Sequence, residues 1–99
     1  MKNGYNPSIM QDDLSCCYLC GRSDQKLDRH EIFGASRRDK SKRLGLWVML
    51  CHDRCHLNGV HAYKALREEL QAKCQEAAMR EYGWDISKFI SEFGRNYIA

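Results

Sequence analysis

Two pairs of cysteines constrain what this 99-residue chain can fold around. Cys17 and Cys20 are separated by two residues; after a gap of 30 residues come Cys51 and Cys55, separated by three. Two cysteines that close can grip one ion from a single turn of backbone, and zinc takes four soft or borderline ligands in a tetrahedron. A short chain buries little apolar surface, so a metal staple contributes much to its stability. Buried free thiols acting as small hydrophobes would be the alternative, but they do not account for two spaced pairs, each beside turn or helix-start residues. The spacing predicts a structural Zn²⁺ on Cys17, Cys20, Cys51 and Cys55. Because the second pair is one residue wider than the commoner spacing, His56 or even His52 is a rival fourth ligand, and Cys16 is a rival to Cys17. Cys74 falls on the apolar face of a helical pattern and reads as core.

Metal rather than disulfide chemistry also fits the rest of the chain. Residues 1–14 are polar, end near Asp12 and Asp13, and contain no hydrophobic signal core. No apolar run approaches the roughly 20 residues that span a bilayer. The expected setting is a reducing, cytoplasmic compartment away from membranes, where paired cysteines bind metal or do redox work. A thiol redox protein is the weaker of those two readings, because the Cys-x2-Cys lacks a βαβ context. A hydrophobic fraction of 43%, a charged fraction of 29% and a single proline exclude a collagenous or long disordered chain.

The fold class expected is α+β. Residues 1–13 read as a poorly ordered lead-in with turn signals at Asn3-Gly4 and Asn6-Pro7. Cys17 to Gly21 reads as a tight knuckle. Leu27 to Phe33 and Leu44 to Leu50 are strand candidates able to pair as a hairpin across a basic loop from Gly34 to Arg43. A short helix opens near Cys51 or His52. A longer one runs from about Ala62 to Tyr82 on a three- and four-residue apolar period, with Gly83 as its stop. Asp85 can cap a last helix through Phe89, Ile90 and Phe93, ended by Gly94. The organisation predicted is a lead-in over 1–13, a zinc-bound core over 14–61 and a helical extension over 62–99 that packs on the core. Aromatic or apolar residues of the last helix left exposed would form a dimer patch, so the state expected is monomer or homodimer.

All four histidines sit in two short segments, Asp28 to Gly34 and His52 to His61. If the cysteine pairs share one ion, His30 and Glu31 approach His56 and His61. Imidazoles and a carboxylate together can hold a divalent ion that keeps positions open for water and phosphate. His52 reads as solvent-facing or a minor partner. Net charge is only +3, but Arg37, Arg38, Lys40, Lys42 and Arg43 crowd one stretch against Asp39 alone. Such a run is either a solvated surface or a phosphate-contacting patch.

In this order of motifs the chain resembles the HNH, or ββα-metal, endonucleases, and more narrowly the small HNH-like proteins of bacteriophages and prophages. The resemblance covers Cys17 to His61. It rests on Cys17-x2-Cys20-Gly21, on His30-Glu31-Ile32-Phe33-Gly34, on Leu50-Cys51 through Cys55-His56, and on Gly59-Val60-His61. It implies a treble-clef, ββα-metal core of hairpin plus helix around zinc, with a second, catalytic ion such as Mg²⁺ or Mn²⁺ on His30, His56 and His61. Asn58 is a possible substitute for one of these ligands. It further implies hydrolysis of DNA, with Arg37, Arg38, Lys40, Lys42 and Arg43 on the backbone and a phage- or prophage-encoded protein in a bacterial host. Two departures stand out. Glu31 occupies the place of the water-activating histidine, and a carboxylate is the weaker base near neutral pH. The His56-to-His61 step is five residues, where four suits one face of an α-helix. A zinc-stabilised phage protein without catalysis, binding nucleic acid or a host protein, is the alternative.

Overall fold

Trp47-Val48-Met49-Leu50-Cys51 is an unbroken apolar run, the pattern of a strand covered on both faces. In the computed structural model, which describes residues 4–98, that run is β2 (Trp47–Cys51), and all of it but Met49 is buried. It pairs antiparallel with β1 (Leu27–Glu31) in a register that sets Leu27 against Cys51 and His30 against Val48. The hairpin is closed by a short 3-10 turn (Ala35–Arg37) and α1 (Arg38–Leu44). A π-helix (His52–Val60), α2 (Lys64–Tyr82) and α3 (Ile86–Phe93) follow.

The expected basic loop is therefore partly a helix, and the second strand begins later than Leu44. Arg38 to Leu44 is rich in arginine, lysine and leucine, which lose little rotamer freedom in a helix. Gly45 ends α1 at φ 74°, with its N–H on the Lys42 and Ser41 carbonyls. Ser41 is fully buried; its hydroxyl donates to the Phe33 carbonyl at 2.7 Å and accepts from the Phe33 N–H at 3.2 Å. That clamp ties α1 to the end of β1.

Residues 1–3 of the expected lead-in lie outside the described residues, and residues 4–13 are docked against β2. Ser8 Oγ donates to the Trp47 carbonyl at 2.6 Å, and Trp47 Nε1 donates to the Asn6 carbonyl at 2.8 Å. The Met49 N–H reaches Gln11 Oε1 at 2.8 Å, while Met49 O accepts from the Tyr18 N–H at 2.8 Å. These bonds cover what would otherwise be an open strand edge. The Arg29 guanidinium lies 4.2 Å from the Tyr5 ring centre and 4.7 Å from that of Trp47. Turn-forming residues here shape a strap across the sheet.

The helical extension follows its pattern closely. Leu70, Cys74, Gln75 and Ala78 of α2 are buried. Asp85 caps α3 by accepting from the Lys88 N–H at 2.8 Å. Phe33, just beyond β1, meets Phe93 at 4.8 Å and Tyr97 at 5.0 Å between ring centres, and Phe89 at 5.6 Å. This aromatic cluster packs the extension against the hairpin. Ile86 and Ile90 stay exposed on α3. No helix among the described residues is long and apolar enough to cross a membrane.

Gly45 is where backbone and strap meet most closely: a Cβ there would lie 2.2 Å from the Pro7 carbonyl oxygen. Gly45→Ala is expected to cost at least about 2 kcal/mol, combining left-handed strain with displacement of the strap. Gly83→Ala, at φ 66° with open space around it, is expected to cost about 1 kcal/mol. Urea denaturation of the zinc-loaded variants measures both, and equal losses would contradict the docked strap.

Candidate metal centres

The first pair of cysteines sits in a knuckle closed on itself. The Gly21 N–H bonds the Cys17 carbonyl at 2.9 Å, the Cys17 N–H bonds the Arg22 carbonyl at 2.8 Å, and the Cys20 N–H points at Cys17 Sγ at 3.5 Å. The second pair straddles the junction of β2 and the π-helix. The knuckle hangs on β2 through Tyr18, so both pairs converge.

The sulfurs of Cys17, Cys20, Cys51 and Cys55 lie within 4.8 Å of one another, and Cys20 Sγ is 3.8 Å from Cys51 Sγ. A disulfide would need about 2.05 Å. Four sulfurs about 2.3 Å from one zinc are about 3.8 Å apart. Burial pushes the Cys17 thiol up, but N–H groups of Cys20, Cys51 and Leu19 more than reverse this and bring it to about 7. Burial and the neighbouring sulfurs push Cys55 far up. Four thiolates can share this volume only around a cation, and the set can hold a structural zinc. None of the three rival ligands joins it: Cys16 turns its sulfur toward the Asp13 carbonyl, and His52 and His56 turn to Asp28. Cys74 is buried in α2, as its place in the pattern predicts.

The second cluster is His30, His56 and His61, one ligand nitrogen from each falling within 4.8 Å of the others. His30 comes from β1 and is buried. The other two come from the π-helix and its end. An α-helix would splay residues five apart, but a π-helix bonds i to i+5. The His61 N–H reaches the His56 carbonyl at 3.1 Å, which brings the two imidazoles together with centres 4.6 Å apart and planes tilted by 55°. The awkward five-residue step is thus accommodated by the wider helix. Gly59 permits the winding, since a Cβ there would lie 2.9 Å from the Arg54 carbonyl oxygen.

Asp28 sets the chemistry of this cluster. Its Oδ2 accepts from His56 Nδ1 at 2.8 Å and from His52 Nδ1 at 2.6 Å. Burial raises the Asp28 carboxyl, and these bonds outweigh it, holding the group below the usual carboxylate range. With its proton on Nδ1, His56 presents a lone pair at Nε2, 3.0 Å from His61 Nε2. Burial, then the charge His56 and His61 can carry, lowers His30 to about 4. Burial, His56 and Arg67 lower His61. Three imidazoles with converging ring nitrogens are a donor set for a divalent cation, and a carboxylate behind one of them is the usual support of such a ligand. Alternation along β1 puts Asp28 on the same face as His30, so a two-residue step from His30 was the signal that sequence reasoning missed.

Glu31 does not join the histidines. It lies on the other face of β1, where Arg38 Nε is 3.3 Å from its carboxylate. It does line a cavity of about 550 Å³ whose wall also includes His30, His56 and His61. The basic stretch divides because it is helical. Arg37 and Arg38 line that cavity, whereas Lys40 pairs with Glu92 at 3.2 Å and Lys42 sits 4.8 Å from the Tyr5 ring centre. Arg43 and Asn58 are exposed. No protein-family model, curated protein or solved structure matches the chain.

Purified protein is expected to carry one zinc per chain. Cys20→Ser and Cys51→Ser should lose it on desalting, whereas Cys16→Ser and Cys74→Ala should keep it. Elemental analysis checks this, and full zinc retention by Cys51→Ser would remove Cys51 from the ligand set.

Proposed function

We propose that this protein is a metal-dependent endonuclease of the HNH type that hydrolyses phosphodiester bonds in DNA. The observation that carries the reading is the meeting of His30, His56 and His61, backed by Asp28, in a cavity that arginines also line. A divalent ion such as Mg²⁺ or Mn²⁺ on these nitrogens would neutralise a phosphate oxygen and the leaving 3′-oxygen.

The remaining roles fall to the chain itself. Asp28 holds the His56 tautomer. Packing around His30 fixes that imidazole from the strand side. Arg37 and Arg38 take backbone phosphates, which position a duplex without reading its bases. A phosphate that draws Arg38 to itself frees Glu31, which then accepts a proton from the attacking water. The zinc on the four cysteines has no part in the reaction; it ties the knuckle before β1 to the junction of β2 and the π-helix.

A second reading is favoured by the Arg38–Glu31 ion pair. If that pair persists on the substrate, no base is free, and the protein is a zinc-stabilised module binding nucleic acid or a host protein, as suits a phage-encoded origin. Plasmid nicking with added Mg²⁺ or Mn²⁺ separates the two. The endonuclease reading expects His30→Ala to lose at least about a hundredfold in rate and Glu31→Gln to lose about 10²- to 10⁴-fold while still binding DNA. Undiminished nicking by His30→Ala, or none by the wild type in any divalent metal, would contradict it.

A further inference from the structure

Helix α2 begins beyond the four-cysteine unit, yet its Arg67 and Gln71 reach back to the cavity. Arg67 Nη1 donates to the Val60 carbonyl at 3.1 Å, immediately before His61, and the same side chain lines the cavity. A guanidinium has five N–H donors in a fixed fork, and this is the one bond Arg67's side chain makes among the described residues. Arg37 lines the cavity too. The other two arginines of the wall are committed, Arg29 to the Tyr5 and Trp47 rings and Arg38 to Glu31. Neither Arg37 nor Arg67 has a carboxylate within ion-pair distance among the described residues.

Both are also partly shielded from solvent. Two such guanidinium groups without counter-charge, beside three imidazoles, make the cavity electropositive, with donors matched to the oxygens of a phosphate diester. We infer that Arg67, together with Arg37, forms a phosphate subsite in which the helical extension grips the substrate strand beside the histidine centre. This rests on the endonuclease reading and deepens it: the extension is part of the substrate site as well as a support for the core. Arg67 is a positioning residue there, binding a phosphate that does not react.

The test is equilibrium binding of a short fluorescein-labelled DNA duplex to zinc-loaded protein across a range of KCl concentrations, with no other divalent ion added. Each phosphate neutralised contributes about 0.9 to the slope of log affinity against log salt. Arg67→Gln is expected to lower that slope by about 0.9, and Arg67→Lys to leave it near the wild-type value. Mn²⁺ binding at the histidines, followed by electron paramagnetic resonance, is expected to be unchanged in both. An unaltered slope in Arg67→Gln overturns the subsite. So does parallel loss of Mn²⁺ binding, which would mean that Arg67 acts only by holding Val60. Absence of salt-dependent DNA binding by the wild type overturns it as well. Loss of the slope increment in a protein that binds DNA but never cuts it upholds the subsite while removing the nuclease reading.

Discussion

Four sulfurs meeting in a space the size of one zinc coordination sphere hold this molecule together. They come from two places far apart in sequence, a knuckle before the first strand and the junction of the second strand with a π-helix. A sheet of two short strands is marginal alone, and a chain this size buries a limited core. Closing the loop between the cysteine pairs removes conformational freedom from the unfolded chain, and a cation relieves the repulsion among thiolates. The strap of residues 4–13 adds a second constraint by covering the outer edge of β2.

From that closure follows the position of the histidines. His30 is on the strand that pairs with β2, His56 is on the π-helix that follows Cys51, and His61 is at that helix's end. Their convergence needs no further device than the register of Leu27 with Cys51 and the winding of the π-helix. Asp28, two residues from His30, then bridges His52 and His56 through one carboxylate oxygen. The four-cysteine cluster thus orders the scaffold of the three-histidine cluster, which lines a cavity walled in part by the helical extension.

Much of this was legible in the residues. The cysteine spacing announced the four-sulfur site, and the apolar periods announced both strands and the last two helices, down to Asp85 as cap and Gly83 and Gly94 as ends. Three features were not legible. Gly34 to Arg43 looked like a loop because charge dominates its pattern, while helix propensity and the Ser41 clamp make most of it helical. The strap was hidden because its contacts are hydrogen bonds between Asn6, Ser8 and Gln11 and a strand some 40 residues away, and such bonds leave no periodicity. The helix after Cys51 was expected, but its π winding was hidden because a five-residue histidine step reads as poor α-helix, when it is the repeat of a wider one. Arg67 is a fourth, since one arginine on a long polar helix carries no sequence signal for the cavity it enters.

The central claim is that one zinc ion is bound by sulfur alone and that imidazole is left free for a separate site. X-ray absorption at the zinc edge tests it most directly. The expected first shell is four sulfur atoms at about 2.3 Å and no nitrogen. A shell containing imidazole nitrogen at about 2.0 Å would mean that a histidine completes the zinc site, and the independent histidine centre would be lost with it.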